Sequence, residues 1–265
     1  FEQYYVKMPV EKEYYQQRWK ASGVNFRFSY GMFDEDKLVG FVIHAIDERQ
    51  GVLTAYNAGT GVIPAYRGNK IVAAIYQYAL RDLKENNIRQ CKLEVITKNE
   101  RAIRAYQSIG FEIKKKYLCF SGKLDTVLQD LPEIRKLDLE HIPWEVLPNQ
   151  DNYSWDHQKE SIVKGDYSFY QVKVDDKPDS FFILKPENGY LAQFDVLTSD
   201  QHSWNRLFVA IRSISPFVRV NNVEERLTEK INILQEAGLE NTVNQYEMEF
   251  VIKEDGIKTT SDRDA

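Results

Sequence analysis

Hydrophobic positions recur along the chain with two periods, one typical of helices and one typical of strands. Pro9–Ser22 has helical spacing, with Tyr15 and Trp19 four residues apart and Gly23 as a stop signal. Beyond this segment the pattern becomes β-rich and is interrupted by the polar turns DED and ERQG. It predicts three antiparallel strands, within 26–33, 37–46 and 52–63.

The helical period returns directly after the third strand. Apolar residues at spacings of three and four predict a buried helix between Arg67 and Asn86, with Tyr78 and Ala79 on its inner face. A short apolar run, a second helical pattern that ends at Gly110 and a further apolar run come next. They predict a strand at 91–96, a helix at 99–110 and a strand at 111–120.

The second half of the chain shows a similar order of elements after a polar connection at 121–130. The patterns predict helices at 154–165, 203–214 and 223–238, and strands at 167–174, 180–185, 189–197, 217–223 and 245–253. Ala105–Ile113 (AYQSIGFEI) also matches Ile233–Asn241 (ILQEAGLEN) as a helix end, a glycine and a strand entry. Two copies of one architecture explain both observations, so we predict domains at 1–123 and 124–265.

The composition indicates an ordered globular protein and narrows its partners. The chain is 43% hydrophobic, and its formal charge of −5 supplies no general attraction for nucleic acid or anionic lipid. No run approaches the length of a membrane span, and no cleavable leader begins the sequence. Cys91 and Cys119 lie in apolar strands, and no histidine pair has metal-ligand spacing. We therefore expect a cytoplasmic protein with reduced thiols and no metal, nucleic-acid or membrane partner.

The segment Val62–Ile75 (VIPAYRGNKIVAAI) has the chemistry of an anion site at the start of a helix. The first backbone N–H groups of a helix have no intrahelical partner and lie at the positive end of its dipole. Gly68 allows the backbone to approach a ligand closely, and Arg67 and Lys70 add positive charge. Alone, the segment is equally well explained as an ordinary helix start with solvated cations.

A second segment about thirty residues later favours the anion site over an ordinary helix start. Leu93–Glu112 (LEVITKNERAIRAYQSIGFE) combines a strand, an asparagine, a helix that carries a tyrosine, and Gly-Phe before a further strand. This pair of segments, in this order, resembles the GNAT superfamily of N-acetyltransferases. The resemblance implies an α/β (α+β) fold with two GNAT-like domains. Each would hold a mixed, mostly antiparallel sheet flanked by helices, with a V-shaped splay between its central strands.

The resemblance also implies acetyl-CoA as co-substrate and assigns residues to it. The splay would lie between the strands Leu53–Ile63 and Lys92–Ile96. The pantetheine and pyrophosphate of CoA would then contact the ends of these strands and the adjacent helix start. The implied contacts are Gly61, Val62 and Ile63 for pantetheine, Arg67, Gly68, Asn69, Lys70, Ile71 and Val72 for pyrophosphate, and Asn99 and Tyr106 near pantetheine and the thioester sulfur.

The chemistry implied by the family needs few side chains, because a thioester is already activated. Tyr106 is the candidate acid for the departing thiolate, although a core aromatic on an amphipathic helix is the alternative. The strand Leu53–Ile63 holds no carboxylate or histidine. Glu94 on the neighbouring strand is therefore a candidate base, and arrival of a neutral amine through a water chain is the alternative.

The chain also departs from the family pattern. Lys70 and Val72 stand where the phosphate signature has glycine or alanine; we expect a helical φ at Lys70 and interfering bulk at Val72. In the second copy the corresponding junction reads VLTSDQHSWN (Val196–Asn205), and Leu234 aligns with Tyr106. We therefore expect a degenerate C-terminal domain that binds no CoA, followed by the polar tail Ser261–Ala265.

The family's first strand and helix have no room before Pro9, so the N-terminal domain lacks them as given or completes its fold otherwise. The function predicted from these features is acetyl transfer from acetyl-CoA to a primary amine of a small molecule or peptide. The alternative is a non-catalytic module that binds acyl-CoA or a protein partner. Assembly into a homo-oligomer is open.

Overall fold

The N-terminal half alternates strands and helices in the predicted order. The computed structural model describes residues 9–125 and 131–253, so the polar tail lies outside it. The elements of this half are α1 (Lys12–Ser22), β1 (Tyr30–Asp34), β2 (Lys37–Arg49), β3 (Val52–Val62), α2 (Ile71–Glu85), β4 (Gln90–Ile96), α3 (Glu100–Ile109) and β5 (Glu112–Lys123).

The C-terminal half has the same order, preceded by an additional strand and several short 3-10 turns. Its elements are β6 (Glu133–Leu137), α4 (Lys159–Ile162), β7 (Ser168–Val174), β8 (Lys177–Lys185), β9 (Tyr190–Val196), α5 (Ser203–Ile214), β10 (Phe217–Glu224), α6 (Thr228–Glu236) and β11 (Glu240–Val251).

The described strands form one sheet that runs through both halves. Its order is β1-β2-β3-β4-β11-β5-β10-β9-β8-β7-β6, and only β3–β4 and β9–β10 are parallel pairs. The predicted mixed, mostly antiparallel sheet flanked by helices is confirmed. The halves share this sheet, where the sequence analysis expected one sheet in each domain.

The position of β11 joins the two halves. This last strand of the C-terminal half lies between β4 and β5 of the N-terminal half, with Met248 opposite both Leu93 and Ile113. In turn, β5 pairs with β10 along Phe217–Glu224. Each half therefore completes the hydrogen bonding of the other.

The helices α2 and α3 cover one face of the N-terminal part of the sheet, which we call the helix face. Tyr76, Leu83, Leu93, Tyr106 and Phe111 belong to the core there. Side chains alternate along a strand, so Glu94 lies on the opposite face from Leu93. The predicted burial of Tyr78 is wrong.

Helical geometry explains that error. Tyr76 lies three residues before Ala79 and is fully buried, whereas Tyr78 lies about 100° around the helix from Ala79, at the edge of the apolar stripe. Tyr78 is consequently exposed, and its ring contacts Tyr30.

A segment of the C-terminal half, residues 153–161, covers the opposite face; we call it the interhalf segment. The Trp155 ring stacks on Tyr56 with centroids 4.9 Å apart, and its Nε1 donates to the Ser22 carbonyl at 2.9 Å. Arg49 lies over the Trp155 ring and donates to Ser161 Oγ at 2.9 Å. The two halves are therefore held together on this face as well as through the sheet.

Four differences between the predicted elements and the structure each have a local reason. In the region predicted as helix 154–165, only Lys159–Ile162 is α-helical, because the preceding side chains are buried against different partners. Trp155 stacks on Tyr56, Ser154 accepts from Asn222, and His157 lies 2.8 Å from the Tyr190 hydroxyl. α6 starts at Thr228, since the preceding residues extend β10 to Glu224.

The other two differences concern β-rich runs. Phe26–Phe28 forms a 3-10 turn in which Asn25 Oδ1 accepts from the Arg27 N–H, so β1 begins only at Tyr30. β6 was missed because this short edge strand has few apolar residues.

Within the described ranges, no helix has the length and apolarity required to cross a bilayer.

We predict that Met248→Ala lowers the stability of both halves together. Met248 is fully buried between β4 and β5, and truncation of such a side chain removes about 2–5 kcal/mol of unfolding free energy. Urea unfolding followed by tryptophan fluorescence should give one transition at lower urea. Val251→Ala, an exposed position of the same strand, is the control. Two separate unfolding transitions, only one of them shifted by the substitution, would contradict the conclusion that the two halves unfold together.

Candidate active site

A wedge-shaped opening begins where β3 and β4 separate. Their parallel pairing runs from Thr54–Gln90 to Asn57–Leu93 and then ends. At this point the β2–β3 ladder contains a bulge, because Ile43 pairs with Gly59 and His44 with Asn57, which leaves Ala58 extra. The predicted splay between these strands is therefore present, and its apex lies at Asn57.

The first wall of the opening is the free edge of β3. Gly61 and Val62 pair with Phe41 and Gly40 of β2 on one edge only, so their other edge faces the opening. At Gly59, the space that a Cβ would occupy has no atom within 4 Å. Ile63 lies just past the strand and already donates its N–H to the Val39 carbonyl at 3.1 Å.

The loop before α2 forms a concave start to the helix. Gly68 has φ +96° and Lys70 has φ +55°, so two left-handed residues flank Asn69. Such alternation turns successive N–H groups toward one point and suits an anion. No described side chain caps the first turn of α2 at Ile71 and Val72. This loop therefore places backbone N–H groups at a helix start, an arrangement that favours an anion.

The structure contradicts both expectations, the helical φ at Lys70 and the interfering side chain at Val72. Lys70 adopts a left-handed φ, which glycine tolerates and which strains other residues by about 1–2 kcal/mol. Val72 packs partly against the core on the helix face. The missing glycine therefore matters at Lys70 through the backbone, and the Val72 side chain has a packing role.

A third cation lies beside this loop. The guanidinium of Arg101 on α3 approaches within 3.6 Å of the point where a Cβ on Gly68 would lie. Arg67 donates from Nε to the Val62 carbonyl at 3.2 Å, which ties the loop to the end of β3. Arg101 was missed because only the packing of α3 on α2 places it beside Gly68.

Tyr106 lies at the apex of the opening on the helix face. Its hydroxyl accepts a hydrogen bond from Asn57 Nδ2 at 3.3 Å, and the same Nδ2 donates to the Tyr76 hydroxyl at 3.1 Å. Asn57 Oδ1 accepts from the Gly59 N–H at 3.1 Å, which fixes the orientation of the amide. Asn57 therefore holds two phenols beside the bulge.

His44 extends this network into the core as a neutral group. Burial lowers the pKa of His44 to about 4. Its Nδ1 lies 2.8 Å from the Phe28 carbonyl and must donate to it, so Nε2 is the acceptor that faces the Tyr76 hydroxyl at 3.4 Å. The network of Asn57, Tyr76, Tyr106 and His44 thus orients phenol groups without adding charge.

Asn57 is absent from the candidate residues predicted from the sequence. A signal was present, since an asparagine inside a strand of β-formers, followed by the glycines of NAGTG, is unusual for a regular strand. Asn99 has a definite structural role, because its Oδ1 accepts from the Ala102 N–H at 3.2 Å and caps α3.

Glu94 follows Leu93, the last residue of β4 that pairs with β3, and lies on the opposite face of the sheet from Tyr106. Its Oε2 accepts from Asn222 Nδ2 at 2.7 Å, while its Oε1 is buried without a hydrogen-bond partner among the described residues. Burial, followed by the charges of Asp156 and Glu247, raises the pKa of Glu94 to about 8. The structure thus places the two catalytic candidates on opposite faces of one opening.

In the C-terminal half, β9 and β10 separate in the same way as β3 and β4, but side chains fill the opening between them. β9 and β10 pair only at Tyr190–Arg219 and Leu191–Val220, and a bulge at Ala192 matches the one at Ala58. Aligned on the bulges, Gly59 corresponds to Gln193 and Gly61 to Asp195, both buried. Side chains therefore occupy this wall where the first opening has glycines.

Lys230 on α6 closes the second opening. Its ammonium donates to the Phe194 carbonyl and to Asp195 Oδ2, both at 2.8 Å. Burial acts to lower the pKa of Lys230, but Tyr153 and Asp195 outweigh it and raise the pKa, so the group stays charged. An ion pair inside the protein thus occupies the place of a ligand.

The start of α5 differs from the start of α2 in charge. Asp200 Oδ1 accepts from the His202 N–H at 2.9 Å, and Arg206 donates to Asp179 and Asp200 at 2.6 and 2.7 Å. The hydrogen bond from His202 and that from Arg206 lower the pKa of Asp200 to about 2. Carboxylates of the chain itself therefore occupy the end of α5 that would receive a phosphate.

The comparison with protein families agrees with the geometry of the first opening. Residues 1–111 match the model of the acetyltransferase (GNAT) family. N-alpha-acetyltransferase 30 of Schizosaccharomyces pombe is 32% identical to this chain over 85 residues. That alignment spans 32% of this chain and 57% of the relative.

Solved structures extend the GNAT fold to both halves. A putative acetyltransferase from Pyrococcus horikoshii has a TM-score of 0.65 at 12% identity and covers 93% of this chain and 82% of that one. A tandem GNAT protein from the clavulanic acid biosynthesis pathway has a TM-score of 0.58 at 13% identity, covering 86% and 83%. At these identities the likeness concerns the fold alone.

The described part of the chain contains no group of three or more His, Cys, Asp or Glu side chains arranged to hold a metal ion.

We predict that Lys230→Met destabilises the protein by about 3–5 kcal/mol, because it leaves the buried Asp195 carboxylate without its cation. Urea unfolding measures the loss. Lys164→Met is the matched control, since the Lys164–Asp47 pair is partly exposed and such pairs contribute about 0–1 kcal/mol. Equal small losses for both variants would contradict the proposed role of Lys230 as a filler.

Proposed function

We propose that this protein is an acetyl-CoA-dependent N-acetyltransferase whose active site is the opening between β3 and β4. The observation that carries the proposal is the opening itself, with a free strand edge, an uncapped cationic helix start and a tyrosine at its apex. The family match of residues 1–111 supports it.

The residues around the opening fit the parts of CoA. The amides of 68–72 suit the pyrophosphate, and Arg67, Lys70 and Arg101 would neutralise its charge. The edge of β3 that no strand pairs, from Gly59 to Val62, would offer backbone groups to the amides of pantetheine. Asn99 would act through its cap of α3, which orients that helix and Tyr106.

Acetyl-CoA supplies a thioester carbonyl that an amine can attack directly. In the proposed reaction a C–N bond forms, the C–S bond breaks, and one proton leaves the amine. Glu94 would take that proton at Oε1, and its pKa of about 8 suits a base at neutral to mildly alkaline pH.

The thiolate would receive its proton from Tyr106. The Tyr106 oxygen accepts from Asn57 Nδ2, and that contact orients the phenol and favours the phenolate that remains after donation. Because Tyr106 and Glu94 lie on opposite faces of the sheet, the acid and the base would approach the reacting atoms from two sides.

We propose a primary amine of a small molecule or a peptide as acceptor. The name of the curated relative, an N-alpha-acetyltransferase, is in keeping with an amine acceptor. The domain division at residues 123 and 124 and the lack of CoA binding by the C-terminal half are part of the same proposal. The filled second opening supports the latter.

The proposal is tested first by titration calorimetry with acetyl-CoA and with CoA. We predict about one site per chain, and binding weakened at least about tenfold in Arg67→Glu, because a carboxylate replaces a cation at the loop. Arg135→Glu, the same charge change at an exposed position on β6, is the control.

The possible outcomes of this titration separate the candidate functions. Two sites per chain would refute the proposal that the C-terminal half binds no CoA. The absence of binding by the wild-type chain would refute the proposed function, and binding without transfer to any amine would favour a non-catalytic acyl-CoA module.

We predict that Tyr106→Phe lowers kcat by about 10²-fold or more while leaving the affinity for acetyl-CoA within a few-fold, because the proton donor is lost but no binding contact is removed. Tyr76→Phe is the matched control; its hydroxyl bonds to the same Asn57 but lies deeper in the core, so we expect less than about tenfold. A loss below about threefold in Tyr106→Phe would exclude the acid role.

A further inference from the structure

Asn222 is a residue of the C-terminal half with an unusual backbone conformation. It has φ +56°, a left-handed value that asparagine tolerates better than most residues. It lies at an irregularity in the β10–β5 ladder, where Val220 pairs with Phe120 but Val223 pairs with Leu118. The irregularity rotates this residue out of the regular alternation of the strand.

The side chain of Asn222 connects both halves of the protein. Its Nδ2 donates to Glu94 Oε2 at 2.7 Å and to Ser154 Oγ at 3.2 Å, and its Oδ1 accepts from Gln245 Nε2 at 2.8 Å. Asn222 is buried, and Glu94, Ser154 and Gln245 all lie outside β10. The contact between Asn222 and Glu94 bridges β10 and β4, which β5 and β11 separate in the sheet.

We propose that Asn222 is a positioning residue for Glu94, so that the C-terminal half completes the active site of the N-terminal half. This inference rests on the proposed function. Asn222 holds one carboxylate oxygen of Glu94, and this leaves Oε1 as the oxygen that can receive a proton. The half without its own CoA site would thereby take part in catalysis.

The amide of Asn222 also opposes the forces that keep Glu94 protonated. A hydrogen bond to the charged form of a carboxylate lowers its pKa, and burial and neighbouring carboxylates raise it. The contacting amide of Asn222 is neutral, so its effect depends on hydrogen bonding alone. The other groups that act on Glu94 are Asp156 of the interhalf segment, Glu247 of β11, Arg18 of α1, Tyr56 of β3, and Tyr117 and Cys119 of β5.

The sign of the effect on activity follows from the chemistry. Glu94 must be ionised to accept a proton, so kcat/KM should rise as the pH rises through its pKa. Removal of the Asn222 donor raises that pKa, because the charged form loses a partner and keeps its acidic neighbours. The acidic limb of the pH profile should therefore move to higher pH.

The test uses two variants that keep the left-handed backbone. Asn222→Gly removes the amide without strain, and Asn222→Asp replaces the donor with a group that repels the Glu94 carboxylate. Asn87→Gly is the matched control, since Asn87 also has a left-handed φ of +62° but lies exposed in the turn after α2. Glu94→Gln identifies the limb that belongs to Glu94.

We expect a limb near pH 8 in the wild-type protein and its loss in Glu94→Gln. Asn222→Gly should move it upward by about one pH unit, Asn222→Asp by at least as much, and Asn87→Gly not at all. The affinity for acetyl-CoA should stay the same in all of these variants. An unmoved limb in active, folded Asn222→Gly would overturn the inference and leave the proposed function standing.

A second readout separates the two hypotheses if the wild-type chain acetylates no amine. In that case the proposed function fails, and the titration of the Glu94 carboxyl is followed by infrared difference spectroscopy, with Glu94→Gln identifying its band. A higher midpoint in Asn222→Gly than in the wild type supports control of Glu94 by Asn222. Equal midpoints overturn it.

Discussion

The exchange of strands between the halves is the constraint on which the rest of the structure depends. β5 and β11 are each the last strand of one half, and each lies where the other half needs a partner. Without β11, the inner edge of β4 would have unpaired N–H and C=O groups in the protein interior, which is costly. The two halves therefore fold as one sheet, and residues of either half can meet at its centre, as Glu94 and Asn222 do.

A β-bulge produces both openings, and the side chains beside it determine whether each opening is accessible or filled. A bulge at Ala58 or Ala192 turns the strand away just where its parallel pairing ends. In the N-terminal half the next positions on the wall are glycines, which leave the free strand edge accessible. In the C-terminal half they are Gln193 and Asp195, which bring polar atoms into the interior. The same sheet frame can thus surround an accessible opening in one half and a filled one in the other.

The sequence contained enough local information to predict most helices and strands, because their apolar periods are regular and glycines such as Gly23 and Gly110 end the helices. It did not indicate the shared sheet, since pairing of β11 with β4 is a contact between distant residues with no local pattern. Tyr106 and Glu94 were predicted as candidates from the resemblance. Arg101, Asn57 and Asn222 gain their roles only from packing, and the left-handed φ of Lys70 is a property of the folded loop.

The side chains that fill the second opening, Lys230 and Asp195, are polar because the strands separate there. Where parallel strands part, each keeps backbone carbonyls that no strand can satisfy, and an apolar side chain would leave them buried and unpaired. Lys230 donates to one such carbonyl, that of Phe194, and its charge is then balanced by Asp195, which in turn accepts from Asn149 at 2.7 Å. The Phe194 carbonyl, which no strand pairs, therefore explains why Lys230, Asp195 and Asn149 form a chain of hydrogen bonds inside the protein. In the first opening no side chain of the described residues fills the equivalent place beside β3, so we infer that a ligand or water satisfies its backbone groups there.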